Sequence, residues 1–139
     1  LLSIGGNVCG IGGRADGADW RVSVRSPAGE DSLCYVRIND RSLVTSGTYQ
    51  RYYTVNGKRY AHIIDPATLM PADRFDSVSV LAKDSGMADA LSTALCSMTL
   101  ADGMALIDSL PDTEALWVDA GGKQTMSAGF AGYILAEDE

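Results

Sequence analysis

The chain has 139 residues, 46% of them hydrophobic and 21% charged, with a formal net charge of −7 at pH 7. That length and composition fit one globular domain with a real core and exclude disordered and fibrous classes. The acidic balance argues against nucleic acid, whose phosphates need clustered Lys and Arg, and no apolar run approaches the roughly 20 residues of a membrane-spanning helix.

Residues 1–12 read as a strand running into glycines, and residues 19–26 alternate with period 2 before the turn Pro27-Ala28-Gly29. Residues 34–38 alternate again, and residues 43–45 are short and apolar. Residues 49–55 and 59–64 flank Asn56-Gly57, the strongest short hairpin signal. Residues 77–82 form another strand. The period then changes: Ala88, Leu91, Leu95 and Met98 follow helical spacing over residues 85–98, with Asp84 or Ser85 placed to cap the start. Residues 101–110 predict a second helix stopped by Pro111, and residues 115–118 and 125–135 predict closing strands. There is no internal repeat, low-complexity tract or linker. Strands, a helical pair and further strands indicate an α+β fold with a largely antiparallel sheet, one domain over residues 1–139. The three cysteines, Cys9, Cys34 and Cys96, show no CxxC spacing and read as buried free thiols.

Chemistry concentrates in three segments. In Tyr60-Ala61-His62-Ile63-Ile64-Asp65-Pro66, strand alternation puts Tyr60, His62 and Ile64 on one face and Ala61, Ile63 and Asp65 on the other. His62 is the single histidine; taken alone, a strand histidine is more often a hydrogen-bonded structural residue than a catalyst. Asp65-Pro66-Ala67-Thr68 is a turn entry. In the first helix Asp89, Ser92 and Thr93 stand at i, i+3 and i+4, bringing a carboxylate and two hydroxyls to one face. These are hard oxygen donors of the kind Mg²⁺ takes beside water and phosphate, although an acidic residue early in a helix also has a plain dipole role. Thr45-Ser46-Gly47-Thr48-Tyr49-Gln50-Arg51 runs from a strand into hydroxyls, a glycine and an Arg able to meet phosphate. Gly5-Gly6-Asn7 and the glycines at 10, 12 and 13 match no dinucleotide fingerprint and read as places where another backbone packs closely.

In this order these pieces resemble the C-terminal half of the FAD:protein FMN transferase (ApbE) family. The resemblance rests on Ile4-Gly5-Gly6-Asn7, Trp20 with Val22, the Leu43 to Arg51 segment, Asn56-Gly57-Lys58, Tyr60 to Pro66, Ser77 to Val80 and Ala88 to Leu95, and covers nearly the whole chain. It implies Mg²⁺-dependent transfer of FMN from FAD to a Thr or Ser hydroxyl of an acceptor flavoprotein, with release of AMP. Hydrolysis of FAD to FMN and AMP, or flavin binding without catalysis, are the alternatives. It further implies Asp89 and Thr93 as metal ligands, Ser92 at a position where some members carry a third ligand, and His62 as the catalytic histidine. Ile64 and Asp65, with Ser46, Gly47, Thr48 and Tyr49, are expected near the flavin. Family members often act at the periplasmic or extracytoplasmic side of a membrane.

Two departures from the family pattern stand out. The chain opens on Leu1-Leu2-Ser3-Ile4, strand-like from its first residue, which suggests a segment of something longer. Where the family usually has Thr-Gly-x-Pro, this sequence has Thr68-Leu69-Met70-Pro71, so Leu69 requires a different or strained turn beside the flavin segment.

Overall fold

The computed structural model describes residues 1–29 and 31–136. Its strands are β1 (Leu2–Ile4), β2 (Asn7–Gly10), β3 (Trp20–Arg25), β4 (Ser32–Ile38), β5 (Arg41–Gly47), β6 (Tyr52–Val55), β7 (Lys58–Ala61), β8 (Ile64–Asp65), β9 (Met70–Pro71), β10 (Phe75–Ala82), β11 (Glu114–Asp119) and β12 (Gln124–Met126). Two helices, α1 (Ser85–Ser97) and α2 (Leu100–Asp108), follow β10, and a 3₁₀ turn spans Phe130–Tyr133.

A sheet of order β1-β2-β5-β10-β11-β12, antiparallel at every pairing, separates two cores. Pleat alternation assigns the residues: Val44, Val78, Val80, Ala115 and Trp117 face the helices. Leu43, Leu81 and Leu116 face the β3–β4 hairpin, where Val22, Val24, Val36, Ile38 and Phe130 complete the second cluster. With both faces covered, the central strands lose the polar half of their alternation; β10 is buried almost throughout.

α1 buries Ala88, Leu91, Ser92, Leu95 and Cys96, an i, i+3, i+4, i+7, i+8 stripe. Asp84 caps it, its side chain accepting from the Met87 amide at 2.7 Å. Leu95 is fully buried at the centre of this layer, and truncation to Ala removes about 2–5 kcal/mol of packing. In α2, Gly103 lies where a Cβ would stand 3.0 Å from Leu95 and 3.3 Å from Trp117, so the missing side chain lets the second helix close on the core.

Several strands differ from the sequence expectation. Residues 1–12 fold back as a hairpin, because Gly5 and Gly6 adopt φ of 57° and 94° in a two-residue turn. The predicted strand over 125–135 is broken: it pairs with β11 through Met126 and returns to pairing only at an isolated bridge between Ile134 and Val36. Between the two the chain turns where the Glu114 carboxylate accepts from Ser127 and from the Gly129 amide, and Phe130 drops into the second core. The Asn56-Gly57 hairpin forms as expected, with φ of 50° and 78°, but pairs only Tyr52–Val55 with Lys58–Ala61. Residues 49–51 lie in the preceding turn, and His62 lies just past β7 rather than within it. Of the three cysteines, all free, Cys96 is buried while Cys9 and Cys34 are half-buried.

Candidate functional site

β5 and α1 meet at three hydroxyls. Ser46 Oγ lies 2.7 Å from Ser92 Oγ and 3.1 Å from Thr93 Oγ1. Ser92 and Thr93 each donate to the Asp89 carbonyl, at 3.0 and 3.2 Å, the back-bonding habit of hydroxyl residues inside helices. The expected face is therefore assembled, with a difference: the hydroxyls gather on the Asp89 carbonyl, and the exposed Asp89 carboxylate has no hydrogen bond or ion pair among the described residues. The Ser46 proton can go to Ser92 or to Thr93; in either arrangement Thr93 Oγ1 keeps an unused lone pair, which a cation ligand needs.

Asp89 lines a depression with Leu2, Ile4, Gly5, Asn7 and Ser85. Asn7 ties this wall to α1 by donating to the Ser85 carbonyl at 3.4 Å. That role was not read from the sequence, although Asn7 directly follows the Gly5-Gly6 turn. Gly6 is required there: its φ is 94°, and a Cβ would stand 3.1 Å from the Thr45 carbonyl. Thr93 lines the neighbouring cleft, whose walls are Ile63, Ile64, Asp65, Pro66, Ala94 and Met98. This mostly apolar cleft brings Ile64 and Asp65 beside Thr93 and Ala94 of the helix.

Burial alternates along Ala61 to Asp65 even though the strand is interrupted: Ala61, Ile63 and Asp65 are buried, His62 and Ile64 exposed. The Asp65 carboxylate accepts from the Ala67 amide at 2.8 Å, and its carbonyl from the Leu69 amide at 2.8 Å, so its polar groups build the turn. Leu69 enters the left-handed region with φ of 57°, the strain expected where Gly is absent.

The His62 amide and Nδ1 both meet the Arg51 carbonyl, at 3.1 and 3.0 Å. A carbonyl only accepts, so Nδ1 carries a proton, and the lone pair of the neutral tautomer is then on Nε2. His62 makes no hydrogen bond to Asp89, Ser92 or Thr93.

The Thr45–Arg51 segment divides. Ser46 faces α1, whereas Thr45 faces the other side and meets Ser79 Oγ at 2.7 Å. The Thr48 amide and hydroxyl are spent on the carbonyls of Asp76 and Phe75, which removes that amide from any phosphate cradle. Tyr49 lays its ring over Gly47, where a Cβ would come within 2.5 Å of it.

The donors fit a hard cation in kind: one unpartnered carboxylate on Asp89 and one available hydroxyl lone pair on Thr93. Ser92 is buried and committed to its bonds with Ser46 and the Asp89 carbonyl, so it serves to hold the turn. Among the described residues no group of three or more His, Cys, Asp or Glu could hold a metal by itself. A cation held by these two donors would take its remaining ligands from elsewhere.

A family model described as the ApbE family matches residues 1–117. The FAD:protein FMN transferase of Treponema pallidum (strain Nichols) is 35% identical over 149 aligned residues, spanning 99% of this chain and 41% of that protein. The FAD:protein FMN transferase of Vibrio cholerae is 33% identical, spanning 96% of this chain and 42% of its own length. Among solved structures, the ApbE protein of Thermotoga maritima superposes with a TM-score of 0.86 at 36% identity, covering 95% of this chain and 43% of that one. The chain thus spans less than half the length of the relatives it matches. The chain belongs to the ApbE family.

Proposed function

We propose that this chain forms one wall of a site that moves FMN from FAD onto a Thr or Ser hydroxyl of an acceptor flavoprotein, releasing AMP. The observation that carries the reading is the convergence of Asp89, Thr93 and Ser46 on one helical turn beside the apolar cleft of Ile64, in a chain whose relatives bear the FAD:protein FMN transferase name.

In the transfer, the acceptor oxygen attacks the FMN phosphorus, the pyrophosphate bond breaks and AMP leaves; the acceptor loses one proton. The Ile64 cleft excludes water from one side of the bound flavin. The His62 Nε2 lone pair takes the acceptor proton, and the Nδ1–H bond to Arg51 keeps the ring in the tautomer able to do so. Asp89 and Thr93 would hold Mg²⁺. When bound, that ion neutralises pyrophosphate charge and stabilises the leaving group. Ser46 and Ser92 fix the turn on which both donors stand.

The test titrates the chain with FAD and Mg²⁺, follows flavin fluorescence, and quantifies AMP, free FMN and protein-bound FMN in the presence of the acceptor protein. Saturable FAD binding, with AMP and bound FMN appearing together, is expected. Free FMN in place of bound FMN would mean hydrolysis. Absence of FAD binding, or parental behaviour from Asp89→Ala and His62→Asn, would sink the reading.

A further inference from the structure

We propose that the depression between the β1–β2 turn, β3 and Tyr49 binds a small organic monocarboxylate, on the face of the sheet opposite the Asp89 turn. Ser3, Arg25, Thr45 and Tyr49 line it, with Val8 and Leu43 as its apolar floor. Among the described residues no carboxylate lines this depression. By contrast, Asp65 and Asp73 line the groove beside Arg74, Asp65 the Ile64 cleft, Asp89 the hollow under β1, and Asp84 with Asp112 the hollow at the start of α1. In a chain of net charge −7, this is a concave surface on which an anion meets no fixed negative charge.

Arg25 supplies the positive charge. It follows a register shift in the β3–β4 pairing, an irregularity of the kind that re-aims a side chain. Its guanidinium has no hydrogen bond or ion pair among the described residues. The two other arginines of this hairpin are engaged: Arg21 lies 3.9 Å over the Tyr35 ring, and Arg37 donates to the Gly132 carbonyl at 2.6 Å.

The neutral groups around Arg25 are donors with protons to spare. The Tyr49 hydroxyl accepts from Gln50 Nε2 at 3.1 Å, so its own proton is unspent. Thr45 and Ser79 share one hydrogen bond of 2.7 Å; the buried Ser79 has no other acceptor, so it donates, and the Thr45 proton is left for the depression. The Gly5 and Gly6 amides, in the positive-φ turn that also borders the depression, make no hydrogen bond among the described residues.

Charge and shape select the ligand. One guanidinium balances one carboxylate and meets its two oxygens as a fork, whereas a phosphate dianion would keep a charge uncompensated. The Val8 and Leu43 floor and a volume of about 360 Å³ leave room for a short apolar body behind the carboxylate. Pleat alternation turns Thr45 here and Ser46 toward α1, so one strand serves both places without sharing a side chain. Nothing in this recognition depends on flavin transfer.

The experiment titrates the full chain, without FAD or Mg²⁺, with sodium butyrate at constant ionic strength and follows amide shifts by ¹⁵N–¹H NMR. Butylammonium chloride and inorganic phosphate serve as controls. Saturable shifts at Gly5, Gly6 and Thr45 are expected, with a Kd of about 1–10 mM, in keeping with one charge pair on a small ligand. Arg25→Gln is expected to weaken binding by about tenfold or more and Tyr49→Phe by about fivefold, while Arg37→Gln leaves it unchanged. Absence of saturable shifts up to about 0.1 M butyrate, equal loss in Arg37→Gln, or phosphate or butylammonium binding as tightly overturns the proposal. Shifts centred on Asp89 or His62 instead do the same. Since no flavin is present, these outcomes stand apart from success or failure of flavin transfer.

Discussion

The ring of His62 and the backbone of Arg51 are locked together: one carbonyl oxygen receives both the His62 amide and Nδ1, at 3.1 and 3.0 Å. The expected outcome is an Nδ1–H tautomer in ¹⁵N spectra of the neutral ring, with His62→Asn keeping stability within about 0.5 kcal/mol, since its amide can donate to the same carbonyl. A dominant Nε2–H tautomer contradicts this geometry. Flavin transfer by His62→Asn is expected to drop by about 10²–10⁴-fold, the usual worth of a positioned base.

Ser46 joins β5 to α1 through Ser92 and Thr93. Ser46→Ala is expected to cost about 1 kcal/mol in urea unfolding, the net worth of a typical hydrogen bond. It should also raise the Mg²⁺ concentration needed for half-maximal thermal stabilisation, because Thr93 loses its neighbour. An unchanged Mg²⁺ dependence would leave Ser46 with a packing role only.

Asp89 separates fold from function. Its carboxylate is exposed and has no partner among the described residues, so Asp89→Ala should leave the melting temperature without Mg²⁺ unchanged while abolishing the rise produced by added Mg²⁺ and FAD. A large loss of stability in the absence of Mg²⁺ would point to a structural role.

Leu69 holds φ of 57° and is 77% exposed, so its side chain contributes little packing to offset the strain. Leu69→Gly is expected to stabilise the chain by about 1 kcal/mol, because Gly adopts the left-handed region without a Cβ clash. Chemical denaturation checks the sign; a loss would show that Leu69 packs on something the turn needs.

Burial pushes the Cys96 thiol up to about 12 from an ordinary value of 9.0. Between those values the unfolded thiol has lost its proton and the folded one keeps it. Stability is therefore full below pH 9.0 and falls as pH rises toward about 12. The limiting slope is about 1.4 kcal/mol per pH unit. Melting curves of the parent and Cys96→Ala at increasing pH should converge as alkalinity removes the parent's advantage, and parallel curves would refute it. Thiol reagents should modify the half-buried Cys9 and Cys34 well before Cys96.

The sequence by itself determined the features whose physics is local. The 88-91-95 periodicity with a cap at Asp84 or Ser85 located α1, Asn56-Gly57 located the hairpin turn, and Leu69 in place of Gly marked a different or strained turn, which the structure resolves as a positive φ. The ordered motifs identified the family, since such a set at such spacing is not produced by secondary structure alone. What only the tertiary structure decided is which groups face one another across the sheet. Spacing placed Ser92 and Thr93 near Asp89, but only the β5–α1 packing turned Ser46 onto them and left the Asp89 carboxylate free. Residues 125–135 read as one strand because apolar residues that pair in a sheet and an apolar residue that anchors a turn share the same hydrophobicity; the Glu114 carboxylate, distant in sequence, bends the chain at Ser127 and Gly129. Tyr60 to Pro66 shows both levels at once. Its buried and exposed faces were legible as a period of two, while the protonation of the His62 ring depended on a carbonyl brought alongside by folding.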